Sequence, residues 1–483
     1  MGAGSRGPIA NVVHRDFVLG HLDAVERHLE AAARPTLRHR LAADLHLAIE
    51  PEEAAEALRA IHLTRQLGDA SLRPPTLLGA EAVKQQALDR HAFISRSPVI
   101  SIIQSAIEER VEKTLLDRVV ERARRDGDAP PVGATRLLLK PDGTEPDDEE
   151  MGDPFTTLDP GWVTHIAEAL VERLIRGGRH PFNPSPAPPV PLARDARLVL
   201  LSDWATGLAR AECVAGYAGD WIEEAVNDGR EVHAIHLGDV YYSGERREYD
   251  DRMLAPWPVT EKMVERVPSW CLNGNHDMYS GGWAYFDHLL QDDRFRRQRT
   301  GDGKGSSFFD LVGDDWHVVG LDSAWQDHLP WHPDWGDLAG PQADHVAAAT
   351  QEGKKVLLLS HHQLFSAYDP GVGPLLEQKL QPALASGRVV AWFWGHEHRC
   401  MTFESHEQVP FARCIGHGGV PEVAHPESAP TPAPGQWEYR GQFESHGLAW
   451  SRFGFAVLDF KGPSITVTYV DECGNVDRTE EIA

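Results

Sequence analysis

The 483-residue sequence predicts an α/β catalytic domain preceded by a mainly helical region. Three observations carry that expectation. Apolar residues recur at a helical period through roughly the first 130 residues. A segment with six prolines, HPFNPSPAPPVPL over 180–192, interrupts the chain. Beyond residue 195, short runs rich in Val, Leu, Ile and Trp alternate with helical stretches.

Taken in order, Val18, Leu22, Val25 and Leu29 share one helix face, and so do Ile103, Ile107, Val111, Leu115 and Val119. Both stripes read as core-facing, and nothing around them clusters Cys, His or carboxylates in a catalytic way. Residues 1–140 are therefore expected to form a helical accessory region. Over 141–153 the chain carries seven acids and no base, as a solvated loop does. An amphipathic helix follows, with Val163, Ile166, Ala167, Leu170, Val171 and Leu174 on its apolar side. With the Pro-rich spacer it completes a connecting region over 141–194, and 195–483 is the catalytic domain. Phe453–Phe460 and Ile465–Val470 alternate as strands do.

Composition removes several classes of function. The net charge of −26 lacks the basic footprint of a nucleic-acid binder, so nucleic acid is an unlikely partner. No apolar run approaches the roughly 20 residues of a membrane helix. The first residues show no apolar signal segment, and the five Cys include no CxxC pair. A reducing, cytoplasmic setting is expected. Gly2–Gly7 spells GxGxxG, but no strand can precede it, so it is not a dinucleotide fingerprint.

The chemistry gathers where the apolar runs end. RLVLLS leads to Asp203, and EVHAIHL leads to Gly238-Asp239-Val240-Tyr241-Tyr242. PSWCLN leads to Gly274-Asn275-His276-Asp277, KVLLLS to His361-His362, and RVVAWFW to Gly395-His396-Glu397-His398. Carboxyl ends of strands line one edge of an α/β sheet, so these residues converge although they are far apart in sequence. Two cations about 3.5–4 Å apart need a bridging carboxylate and separate ligands for each ion, and together they clamp the oxygens of a displacement at phosphorus. A His-x-His turn can serve both ions, and a neutral Asn oxygen completes a shell without repelling phosphate. The glycines before Asp239, Asn275 and His396 let the backbone turn sharply off its strand.

These blocks resemble the calcineurin-like metallophosphoesterases, whose pattern is D-x-H, G-D, G-N-H-[DE], a strand-terminal His and G-H-x-H. The resemblance covers roughly residues 197–460. One position departs: Ala205 stands where the first block has His. Purple acid phosphatases also lack that His and use a Tyr three residues after the bridging Asp, the position of Tyr242. The resemblance implies a β-sandwich flanked by helices. It implies one ion held by Asp203, Asp239, Tyr242 and His398, and a second held by Asp239, Asn275, His361 and His396. The two ions would be Fe, Mn or Zn. It further implies attack of a metal-bound hydroxide on phosphorus, with His276 contacting the phosphate and protonating the leaving oxygen while Asp277 orients its ring.

On this reading the substrate is a phosphorylated small molecule. The Tyr242 pattern favours monoesters, and nucleotide or cyclic-nucleotide diesters are the alternative. A different class of function is a metal-binding interaction module with partner-recruiting N-terminal helices; the His276-Asp277 pair argues against it, since a scaffold needs no leaving-group acid. The N-terminal region is a candidate for oligomerisation or protein binding. Several further residues have two readings each. His362 belongs to the wall of the site or lies behind it. Trp204, Tyr241 and Arg399 touch substrate or simply pack. RFRRQR over 294–299 is a cap for a second phosphate or a solvated loop, and Pro421–Pro434 is a lid or plain surface. Asp322 reads as structural.

Overall fold

The computed structural model describes residues 15–34, 49–68, 94–110, 160–327, 336–368, 373–405, 408–422, 424, 431–445 and 448–482. The chain divides into two compact units, Met1–Gly177 and Gly178–Ala483.

In the first unit the described residues form helices Arg15–Ala33 and Pro51–Leu67, a helix over 98–110, and Pro160–Val171, which continues through Glu172–Arg176. The 3.6-residue stripe Val18, Leu22, Val25 and Leu29 is buried throughout, as are Ile103 and Ile107. Val111, Leu115, Val119 and the acidic stretch 141–153 lie outside the described residues. Pro51 opens its helix where a missing N–H costs nothing, and the Glu53 carboxylate accepts from the Glu50 amide at 3.1 Å. Gly68, with φ of 66°, closes the helix in the left-handed region that glycine adopts without strain. All six apolar residues from Val163 to Leu174 are buried, so this helix belongs to the first unit's core.

The Pro-rich segment begins the second unit. Its Val190–Pro191 pairs in parallel with Phe309–Val312 at the edge of a sheet, where proline removes no needed ladder bond. That sheet has eight strands, in the order Val190–Pro191, Phe309–Val312, Trp316–Leu321, Lys355–Ser360, Val389–Trp394, Phe411–Ile415, Cys400–Phe403 and Gly435–Glu438. A second sheet of six runs Val476–Ile482, Ser464–Asp471, Gly454–Lys461, Arg197–Leu201, Val232–His236 and Ser269–Cys271.

The strands alternate their side chains between two cores. Leu198, Leu200, Ile235 and Trp270 of the six-stranded sheet meet Leu357, Leu359, Phe393 and Ile415 of the eight-stranded one. On the far side of the first sheet, Val199, Leu201 and Ala234 pack under Val214, Ala218 and Ile222 of helix Ala209–Asn227. Behind the other sheet, Val356, Leu358 and Trp392 pack with Val346, Leu376 and Leu380 of helices Gln342–Ala349 and Pro374–Leu384. The result is the expected α/β sandwich flanked by helices. Burial on both faces explains why the strands read as continuous apolar runs. A truncation such as Leu200→Ala, at the centre, should cost about 2–5 kcal/mol.

This topology positions the site. Strands Arg197–Leu201, Val232–His236 and Ser269–Cys271 are parallel neighbours in one sheet, and Lys355–Ser360 and Val389–Trp394 are parallel neighbours in the other. Their carboxyl ends deliver the residues singled out above to one end of the sandwich. Among the described residues, no helix is long and apolar enough to cross a membrane.

Candidate metal centre

The backbone turns hard where each strand ends. Asp203, Asp239, His396 and His398 have φ of 51°, 76°, 65° and 30°, four of the five non-glycine residues with positive φ among those described. Each such conformation costs about 1–3 kcal/mol and persists only where its surroundings enforce it. Here it swings side chains at the strand ends towards one another. Two glycines make room for them: a Cβ on Gly274 would run into the Asp239 carboxylate, and one on Gly395 into Ser202 Oγ and the Asp203 carboxylate.

Donor atoms gather in two adjoining groups. Those of Asp203, Asp239 and His398 lie within 4.8 Å of one another, and so do those of His361, His362 and His396. Asn275 Oδ1 joins the second group, 2.9 Å from both His361 Nε2 and His396 Nδ1. Asp239 faces both groups, since its Oδ1 is 3.4 Å from His361 Nε2. In the first group His398 Nε2 is 3.7 Å from Asp203 Oδ1. The Tyr241 hydroxyl stands in the same group, 3.1 Å from Asp203 Oδ1, 3.1 Å from Asp239 Oδ2 and 3.3 Å from His398 Nε2. The structure thus brings Asp203, Asp239, Asn275, His361, His396 and His398 together. The phenol it adds is that of Tyr241, one residue before the expected Tyr242.

The electrostatics match a cation site. Asp203 and Asp239 are both buried, and burial pushes both carboxyls upward; the Asp203 and Asp277 charges push Asp239 further. Among the described residues their ion-pair partners are histidines, not Lys or Arg. Burial in turn drives the His361 imidazole well below its ordinary value, holding it neutral with a lone pair to give. Two buried carboxylates side by side with neutral imidazoles are costly on their own and are compensated when cations sit between them. The donor set of carboxylate, imidazole and amide oxygen fits two borderline ions such as Fe, Mn or Zn.

His276 is buried beside this cluster, its ring 4.4 Å from that of Tyr241. Its amide donates to Asp239 Oδ1 at 2.9 Å, and its Nδ1 lies 2.6 Å from the Tyr242 carbonyl. That carbonyl orients the ring, a part expected of Asp277. Asp277 is the third residue of the short helix Asn275–Tyr279, so its carboxylate folds back over the helix start. There it accepts from the amides of Gly274, Asp239 and Val240 at 2.6, 2.9 and 3.2 Å, and from the Tyr249 hydroxyl. It ties the Asp239 loop to the Asn275 loop, and burial raises its carboxyl to about 6. The Tyr242 side chain is buried, its ring 4.9 Å from the Arg252 guanidinium.

His362, a member of the second group, has Ser323 Oγ 3.1 Å from Nδ1 and Asp327 Oδ2 3.2 Å from Nε2. The adjacent pair His361-His362 was its sequence signal. Ser202, which donates to Asp203 Oδ2 at 2.6 Å, left none. Trp204 is a packing residue, buried with its indole donating to the Ala211 carbonyl at 2.6 Å. In the basic cluster, Arg294 pairs with Asp292, Arg296 with Glu265, and Arg299 donates to the Leu290 carbonyl. Asp322 is buried and accepts from the amides of Ala324 and Trp325. Residues 423 and 425–430 of the Pro-rich loop lie outside the described residues.

A β-sandwich whose strand ends converge on two adjoining metal-donor groups is an arrangement that suits a metal-dependent phosphoric ester hydrolase. Residues 196–400 match the family model for calcineurin-like phosphoesterases. The chain is 26% identical over 258 residues to tartrate-resistant acid phosphatase type 5 of Oryctolagus cuniculus, covering 50% of this chain and 75% of that protein. Among solved structures it is similar to GAP50, the anchor in the inner membrane complex of Plasmodium, at TM-score 0.42 and 14% identity over 60% of this chain and 88% of that one. It is also similar to a dimetal phosphatase from Danio rerio, at TM-score 0.39 and 14% identity over 62% and 99% of the two chains.

Proposed function

We propose that this protein hydrolyses small phosphate monoesters at a centre of two metal ions. The observation that carries the reading is Asp239, whose buried carboxylate faces both donor groups with His276 donating to it. One ion would be held by Asp203, Asp239 and His398, with Tyr241 in the place expected of Tyr242. The other would be held by Asp239, Asn275, His361 and His396. When bound, two such ions clamp the oxygens of a phosphate and make water acidic enough to attack near neutral pH.

The chain's own residues do the rest. Asn275, neutral, completes its shell without repelling the incoming phosphate. The Tyr242 carbonyl accepts the hydrogen bond of His276 Nδ1–H, so the ring, as an imidazolium, would turn its Nε2–H to the ester oxygen, give that proton to the leaving group as the bond breaks and end as the neutral Nδ1–H imidazole. Asp277 holds the two loops in register so that these groups keep their spacing. Monoester preference is supported by the phenol in the first donor group and by the acid phosphatase relative. The acidic surface supports a small-molecule substrate over nucleic acid, and a cytoplasmic setting fits the five free cysteines. The helical N-terminal unit is proposed as an oligomerising or partner-binding element.

Parallel hydrolysis of a chromogenic monoester and diester by Mn-, Fe- or Zn-loaded protein tests the reading. A monoester preference is expected. A diester preference would move the substrate to nucleotides, and no hydrolysis of either by protein carrying two ions would sink the assignment.

A further inference from the structure

His398 enters the first donor group from a backbone with φ of 30°, and both of its ring nitrogens are engaged. Nε2 faces the group, 3.7 Å from Asp203 Oδ1 and 3.3 Å from the Tyr241 hydroxyl. Nδ1 lies 3.2 Å from Glu422 Oε1. The imidazole is buried and the carboxylate is partly exposed. An ionised carboxylate accepts hydrogen bonds and cannot donate one, so the ring proton sits on Nδ1 and Nε2 keeps a lone pair for a cation. With the proton on Nε2 instead, the ring could not ligate.

The backbone that presents Glu422 is tied down on both sides. Its own carbonyl accepts from the Ser451 amide at 2.9 Å, and the Ala424 amide donates to the Ala449 carbonyl at 2.9 Å. Three residues earlier, the Gly419 carbonyl accepts from the Thr206 hydroxyl at 3.1 Å, and the Gly418 amide donates to the Ser202 carbonyl at 3.1 Å. The segment leading to Glu422 is thus anchored to the loop that carries Asp203. A carboxylate on such a fixed stretch orients a ring at less entropic cost than one on a loose chain. Two other histidines of the centre have Nδ1 on backbone carbonyls: His361 is 3.1 Å from that of Leu237, and His276 is 2.6 Å from that of Tyr242. His398 has a side chain in that place, and a side chain can be substituted.

We infer that Glu422 is a positioning residue for the first ion: its carboxylate fixes the tautomer and the direction of His398, so that Nε2 is held ready to ligate. This rests on the reading of the two donor groups as a centre of two ions. In this role Glu422 acts through His398 and not on the substrate. Outer partners of metal-binding histidines are worth about 10–100-fold in metal affinity.

The test follows Zn²⁺ binding by the metal-depleted full chain, in competition with a chromogenic chelator. The natural chain should take up about two ions. In Glu422→Ala one of them should be held about 10–100-fold more weakly. Glu422→Gln should restore most of that loss, because its amide oxygen still accepts from Nδ1–H. On a His398→Ala background, Glu422→Ala should weaken binding by less than about twofold, since the ring it orients is gone. Natural affinity in Glu422→Ala would overturn the positioning role and leave the centre standing. So would a loss that Glu422→Gln does not restore, or one that persists in full on His398→Ala, because Glu422 would then act through its loop. A natural chain that takes up fewer than two ions would overturn the centre and the positioning role together.

Discussion

The Tyr241 hydroxyl lies 3.1 Å from Asp239 Oδ2 and 3.1 Å from Asp203 Oδ1, inside the first donor group, while the Tyr242 ring sits by Arg252. Two adjacent tyrosines thus have opposite fates. Tyr241 offers its phenol to the centre, and Tyr242 offers its backbone carbonyl to His276. If Tyr241 binds iron, the iron-loaded protein should absorb in the visible through phenolate-to-iron charge transfer. The band should vanish in Tyr241→Phe and persist in Tyr242→Phe; the reverse outcome returns the ligand to Tyr242.

Asp239→Asn should remove the charge that both ions share. The natural protein is expected to carry about two ions per chain, and the variant fewer, with hydrolysis abolished. Chelation of the natural protein should lower its melting temperature, because the Asp203 and Asp239 carboxylates are then left buried without a cation. Elemental analysis and thermal melts check both points. A variant that keeps its metals and its turnover would refute the bridging assignment.

His276→Ala should retain both ions and lose about 10²–10⁴-fold in turnover, the usual worth of a positioned proton donor. Asp277→Ala should behave differently. Its carboxylate holds three backbone amides across two loops, so its loss should cost several kcal/mol of stability and weaken metal retention. If Asp277→Ala instead kept its metals and melting temperature and matched His276→Ala in turnover, the carboxylate would be acting on the imidazole alone.

Asp322 gives a pH dependence with a definite sign. Burial raises its carboxyl from 3.8 to about 6 despite bonds from Ser307 and two amides. A group raised on folding contributes stability that is fully present below its unfolded value and is lost as pH rises through its folded value. Stability of the order of 3 kcal/mol should therefore fade between about pH 4 and pH 6. Asp322→Asn can keep the two amide bonds at Oδ1 without a charge, its Nδ2 donating to the Ser307 hydroxyl in place of accepting from it, so its melting temperature should vary less over that window. Melts of the metal-free natural protein and variant at pH 4.5 and pH 7 provide the comparison, and identical slopes would count against it.

The sequence by itself determined the class of fold and most of the centre. Period-3.6 stripes such as Val18–Leu29 identify buried helix faces, because each helical residue turns the chain by about 100°. Continuous apolar runs ending in Asp203, Asp239, Asn275, His361 and His396 identify parallel strands, because such strands are covered on both faces and their carboxyl ends share an edge. Side-chain direction just past those ends is another matter. Positive φ at Asp203, Asp239, His396 and His398 breaks the alternation that a strand would impose. Tertiary structure alone therefore decided that Tyr241 rather than Tyr242 reaches the carboxylates. It also turned Asp277 onto backbone amides, and it engaged Arg294, Arg296 and Arg299 with local partners.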